Sequence, residues 1–124
     1  MGKFIVKTTA SGAYRFNLLA TNGQVIAVSE NYSSLDSCLN GIESVRKNAV
    51  AAKLEDQTVA GYEQQTHPKF EVYVDKAGEF RFRLKARNGE IIATGEGYKA
   101  KASCLKGIDS IRRNAPESPV EKAE

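Results

Sequence analysis

The chain carries one pattern twice. Residues 4–49 and 70–115 align without a gap at a constant offset of 66, and 22 of the 46 aligned positions are identical. Self-similarity of this kind defines repeat architectures, because two copies of one supersecondary unit must then fit into whatever fold results. The identities fall on turn glycines, on alternating apolar positions and on one helical face. Such positions specify a backbone and its packing, so the duplication says much about architecture and little about chemistry.

With 124 residues the chain has room for one ordinary domain. A single repeat lies near the lower limit for an independent core, so the two are expected to share one. The organisation read from the pattern is a single domain over 1–124, with repeat one at 4–58, a linker at 59–69 and repeat two at 70–124. The net charge of +3 is too small to imply a polyanionic partner by itself. No apolar run reaches the length that spans a bilayer, and the N-terminus lacks a signal-peptide core. A cytoplasmic protein without a membrane role is expected.

Strand signals open each repeat. Phe70, Val72 and Val74 alternate with Glu71, Tyr73 and Asp75, the period of a half-buried strand. Lys76-Ala77-Gly78 reads as a three-residue hairpin loop. Phe80, Phe82, Leu84 and Ala86 then point one way, and Arg81, Arg83, Lys85 and Arg87 the other. Asn88-Gly89 reads as a two-residue hairpin turn, followed by a third strand from Glu90 to about Glu96. A two-residue turn sets Arg87 opposite Glu90, Lys85 opposite Ile92, Leu84 opposite Ala93 and Arg81 opposite Glu96. Repeat one copies this around Gly12 and Asn22-Gly23, with Arg15 opposite Glu30.

A helix follows. Leu35, Cys38, Leu39, Ile42 and Val45 recur at three- and four-residue steps, and Leu105, Ile108 and Ile111 match the last three. Asn48 and Asn114 read as left-handed helix stops. Gly41 and Gly107 sit mid-helix, where glycine costs about 1 kcal/mol relative to alanine, so a close approach to the helix backbone is expected at both. Around Lys53 to Glu55 a short fourth strand is expected.

Phe80-Arg81-Phe82-Arg83-Leu84-Lys85-Ala86, Asn88-Gly89-Glu90-Ile91-Ile92-Ala93, Glu96-Gly97-Tyr98, Ser103-Cys104 through Gly107-Ile108, and Ser110-Ile111-Arg112-Arg113-Asn114-Ala115-Pro116 form a composite signature. It resembles the YegP-like family of small bacterial domains of unknown function, and both repeats match. The resemblance implies an α+β fold: tandem β-β-β-α-β repeats with pseudo-twofold symmetry, one antiparallel sheet, two helices on one face, and C-terminal strands exchanged between repeats. The chain is then a monomeric pseudo-dimer of repeats. No established activity or catalytic residue comes with the family. Pro116 and Pro119 put the last strand of repeat two in question, because proline cannot donate to a ladder.

Chemistry is sparse. Cys38 and Cys104 occupy equivalent helical positions and read as small buried thiols. His67 is the only histidine and sits beside a proline in the linker. No Cys/His cluster has metal-ligand spacing, and no glycine loop is built to cradle phosphate. No catalytic residue, metal or cofactor is expected, and the chain does not read as an enzyme.

Two surfaces remain on the sheet face away from the helices. In repeat one, Ile5, Leu19, Ile26 and Val28 form an apolar candidate for a protein partner, with coverage by the linker as the alternative. In repeat two, Tyr73, Arg83 and Lys85 combine a stacking ring with cations, the composition used by single-strand binders. Glu71 opposite Arg83 offsets part of that charge and leaves Lys85 uncompensated. The reading is a small binding or adaptor protein with an unidentified protein partner; weak nucleic-acid binding is the alternative.

Overall fold

The computed structural model describes residues 2–122. Repeat one supplies β1 (Lys3–Thr8), β2 (Tyr14–Leu19), β3 (Val25–Val28), α1 (Leu35–Ala51) and β4 (Lys53–Asp56). Repeat two supplies β5 (Lys69–Val74), β6 (Phe80–Lys85), β7 (Ile91–Thr94), α2 (Lys101–Asn114), a 3-10 turn (Ala115–Glu117) and β8 (Val120–Lys122). All eight strands form one sheet in the order β4-β5-β6-β7-β3-β2-β1-β8. The halves meet where β3 and β7 pair through Val28 and Thr94.

The terminal strands are exchanged. β4 leaves repeat one to pair with β5, and β8 leaves repeat two to pair with β1. Both pairs are parallel, so the sheet is antiparallel through its inner six strands and mixed at its edges, where one antiparallel sheet was expected. Parallel neighbours need a connection long enough to bring the chain back to the same end, and residues 57–68 provide it between β4 and β5. Pro119 stops short of β8 and takes part only as an acceptor, its carbonyl receiving the Phe4 N–H at 2.8 Å. The missing donor therefore costs no ladder bond, and the strand forms.

Alternation buries Phe4, Phe16, Phe70 and Phe82 completely beneath the helices. Phe4 meets Phe16 edge-on at 5.7 Å, and Phe70 meets Phe82 likewise at 6.1 Å. Tyr32 and Tyr98, bridged to Tyr14 and Phe80, place their rings against the helices. A Cβ on Gly41 would run into the Tyr32 ring, and one on Gly107 would lie 2.7 Å from the Tyr98 hydroxyl. The duplicated helical glycines thus make room for duplicated tyrosines.

Ser34 caps α1 by accepting the Ser37 N–H at 3.1 Å, whereas α2 starts without a side-chain cap. Asn48 and Asn114 are not left-handed, and among the described residues only glycines have positive φ. Instead each side-chain amide donates back to the carbonyl four residues earlier, on Ser44 and Ser110, at 2.8 Å. α1 runs on to Ala51.

Both hairpins of each repeat use the same turn. Gly89 N–H donates to Ala86 at 2.9 Å and Ala86 N–H to Glu90 at 2.9 Å, with Gly89 at φ +85°. The loop is therefore three residues, Arg87 to Gly89, and a bulge follows. Lys85 faces Ile91 and Leu84 faces Ala93, which leaves Ile92 as the extra residue. Repeat one does the same, with Leu19 facing Val25, Leu18 facing Ala27 and Ile26 extra.

Candidate functional site

Strand register lines up one row of side chains across the open face from edge to edge. It runs Glu55, Glu71, Arg83, Thr94, Val28, Asn17, Ile5, Glu121. Positions alternate along each strand, so Lys69 and Tyr73 share this face with Glu71, while Phe70 and Val72 face the helices.

The repeat-two half of the row is a buried charge network. Glu55, Lys69 and Glu71 are only 2, 2 and 3% exposed although they point away from the helices. Their cover is the connection 57–68. The Gln65 backbone N–H donates to Glu55 Oε1 at 2.7 Å, Gln57 Nε2 to Oε2 at 2.6 Å, and Lys53 Nζ to the Thr66 hydroxyl at 2.8 Å. Lys69 Nζ lies 2.8 Å from Glu55 and 3.1 Å from Glu71. Burial alone would raise the Glu55 carboxyl, but hydrogen bonds from Lys69, Gln57 and the Gln65 backbone hold it at about 2. Burial likewise opposes the charge on Glu71, and bonds from Arg83 and Lys69 outweigh it and lower its pKa. Lys69 is raised, because the two carboxylates overcome its own desolvation.

Tyr73, Arg83 and Lys85 come together as expected, but their cations are engaged. The Arg83 guanidinium carbon sits 4.5 Å over the Tyr73 ring, and Arg83 Nε is 2.5 Å from Glu71. Lys85, expected to be uncompensated, lies 3.3 Å from the same carboxylate. Arg81 pairs with Asp75 at 2.5 Å instead of Glu96, and no ion pair joins Arg87 to Glu90 or Arg15 to Glu30 among the described residues. The three-residue turn takes Arg87 into the loop and so separates it from Glu90, whereas beyond the bulge the expected register holds and Arg81 turns to Asp75 instead. Sequence reasoning missed Glu55 and Lys69 as buried charges. Lys69 has the parity of Glu71, which places it on the face, but its burial depends on a linker without any period to read.

In the repeat-one half, Ile5, Leu19 and Val28 lie half-buried on the open face. Ile26 does not join them: as the bulged residue it is 7% exposed and packs into the core cluster, and Val25 takes the place opposite Leu19. Among the described residues, the hydrogen bonds from connection 57–68 to the sheet all reach repeat-two strands and β4, so it does not bind down over this half. Lys3 Nζ stands 3.4 Å from Glu121 there, with side chains 43 and 53% exposed. Asn17 is 7% exposed and its Oδ1 has no hydrogen-bond partner among the described residues.

Groups with nucleophilic potential are shifted away from reactivity. Burial raises the Tyr32, Tyr98 and Cys38 pKa values, and pushes Cys104 up to about 11. His67 is exposed.

Two strand-exchanged β-β-β-α-β units around one sheet make this a tandem-repeat α+β domain. The chain belongs to the family described as Domain of unknown function (DUF1508), whose model matches twice, at residues 10–56 and 75–121. It is 38% identical over 116 residues to UPF0339 protein PA0329 of Pseudomonas aeruginosa, covering 94% of this chain and 92% of that one. A UPF0339 protein of Treponema denticola is 64% identical over 52 residues, which are 42% of this chain and 90% of that relative. The solution structure of the protein of unknown function yegP from E. coli superposes with a TM-score of 0.80 at 30% identity, covering 98% of this chain and 91% of that one. The resemblance read from the composite signature is thus confirmed, and these relatives are themselves uncharacterised.

Proposed function

We propose that the chain is a small cytoplasmic binding or adaptor protein that docks a protein partner on the repeat-one half of its open sheet face, and that it is not an enzyme. One comparison carries the reading. Lys69–Glu55 and Lys3–Glu121 are the same ion pair at an offset of 66, yet the first is buried beneath residues 57–68 and the second is open to solvent. Ile5, Leu19 and Val28 beside the open pair give it an apolar surface of the kind that partners cover. Engagement of Arg83 and Lys85 by Glu71 weighs against the alternative of nucleic-acid binding on repeat two.

The test is affinity purification with the full chain at moderate salt, with and without nuclease, set against Leu19→Ser. A protein recovered in both treatments and lost with Leu19→Ser supports the reading. Recovery that depends on nucleic acid, or that ignores Leu19→Ser, overturns it.

A further inference from the structure

We infer that the repeat-one half of the open face is an exposed second copy of the seat that residues 57–68 occupy on the repeat-two half. Its ligand is an extended peptide, apolar at its centre and acidic at one end. The inference rests on the reading of this face as a binding surface and goes further by naming what binds.

The occupied copy shows how the seat works. An irregular stretch of chain crosses the face, and a backbone N–H, that of Gln65, donates to the edge-strand carboxylate of Glu55. The same edge carboxylate exists in repeat one as Glu121, held by Lys3 as Glu55 is held by Lys69. A peptide N–H can therefore be received at Glu121 on the pattern already used at Glu55.

What lies inward of that carboxylate differs and sets the preference. Glu71, Arg83 and Lys85 are replaced by Ile5, Asn17 and Leu19 at the offset of 66. The charges that meet one another in repeat two give way to two apolar side chains around one amide. Register places Asn17 between Ile5 and Val28. Among the described residues its Oδ1 is buried without a partner, and an acceptor in that condition is destabilising until a donor arrives. A backbone or side-chain N–H from a peptide laid across Ile5 and Val28 supplies that donor. Apolar side chains on either side of it would complete the burial of Ile5, Leu19 and Val28.

Charge fixes the direction. Lys7 and Arg15 stand opposite each other in register and both are exposed. Neither takes part in an ion pair among the described residues, whereas Arg81, the counterpart of Arg15, is paired with Asp75. Lys7 and Arg15 lie one same-face step along β1 and β2 from Ile5 and Asn17, so the end of a peptide that leaves the row on that side meets two adjacent cations, which select an acidic residue. An extended segment suits this better than a folded surface, because the seat is already seen to accept chain through main-chain donors, one of the recurring modes of peptide recognition.

The experiment pans a displayed library of random twelve-residue peptides on the full chain. The best enriched peptide is then made synthetically and titrated into isotope-labelled protein. Enriched sequences should share an apolar centre and a terminal Asp or Glu, and amide shifts should centre on Ile5, Asn17, Leu19 and Val28. Lys7→Glu with Arg15→Glu, both on exposed side chains, should weaken binding by about tenfold, and Leu19→Asp by more. Amide spectra of the free variants confirm that each is folded. No enrichment, shifts centred elsewhere, or indifference to the charge reversal overturns the inference. A protein partner that is lost with Leu19→Ser, but of which no linear fragment binds, overturns the peptide inference and leaves the broader binding role standing.

Discussion

The Arg112 guanidinium of α2 donates to the Ala52 carbonyl at 2.9 Å, where α1 hands the chain on to β4. Arg46 of α1 makes the same bond to the Ser118 carbonyl, ahead of β8. Each arginine is also stacked in its own repeat, Arg112 at 5.2 Å from the Phe70 ring centroid and Arg46 at 5.5 Å from that of Phe4. Each repeat thus grips the segment through which the other sends out its exchanged strand.

This reciprocity predicts that neither half is complete as a monomer. Residues 1–66 expressed alone lack β5 for their β4 and β8 for their β1, so they should be dimeric or poorly folded by sedimentation and amide dispersion. A stable, well-dispersed monomer would show that the halves do not depend on each other. In the full chain Arg112→Ala should cost about 2 kcal/mol in denaturant unfolding, because it strips a charged donor from a buried carbonyl.

Both cysteines should be inert. Burial raises Cys38, and burial together with the Asp56 charge puts Cys104 at about 11, so almost no thiolate exists at neutral pH. Labelling by a thiol reagent should proceed only as fast as the protein opens, and Cys104→Ala should cost about 1 kcal/mol. Rapid labelling of the folded chain at neutral pH would contradict this.

The linker seat should give way in acid. Glu55 titrates at about 2 in the folded chain against 4.5 for a free side chain. A depressed carboxylate contributes stability that is complete above its unfolded pKa and fades as pH falls from there through the folded value. Glu55→Gln should therefore cost about 3 kcal/mol at neutral pH, and progressively less as acid removes the same interaction from the parent. Glu71 and Asp56 are depressed too, so the acid slope should be reduced by the mutation without vanishing. An unchanged slope would mean that Glu55 does not hold the linker.

How much of this was legible depends on which forces have a period. Strand and helix positions follow from alternation and from three- and four-residue steps, so Phe82, Leu84, Ile108 and their copies fell where the pattern put them. The exchange of β4 and β8 came through family resemblance, since nothing local to Leu54 or Val120 says which strand they join. The asparagine-glycine pairs were misread by one residue, because a positive-φ glycine serves a three-residue loop as well as a two-residue one. That single residue moved Ile26 into the core. Burial of Glu55 and Lys69 was illegible, because residues 57–68, which join the two, carry no period that shows them folding over the face.

The mid-helix glycines offer a test of a contact between side chain and backbone. An alanine Cβ at position 107 meets the Tyr98 hydroxyl at 2.7 Å and its ring carbon at 3.3 Å. Gly107→Ala alone should therefore destabilise, despite the gain of about 1 kcal/mol that alanine brings to a helix interior. With Tyr98→Phe the nearest atom is gone, and the alanine should recover most of that gain. Simple additivity of the two changes in a double-mutant cycle would show that they do not meet.

Leu19 and Ile26 separate surface from core most sharply, since alternation alone put both on the open face. Leu19 is half-buried opposite Val25, whereas Ile26 is the bulged residue at 7% exposure within the core cluster. Leu19→Ser removes side chain that is already partly in water, so it should cost about 1 kcal/mol or less and act chiefly on partner or peptide binding. Ile26→Ser buries a hydroxyl and leaves a void, and should cost about 3 kcal/mol. Urea unfolding of the two variants should therefore give clearly different midpoints with the same slope. Equal midpoints would place Ile26 back on the open face and enlarge the apolar surface by one residue.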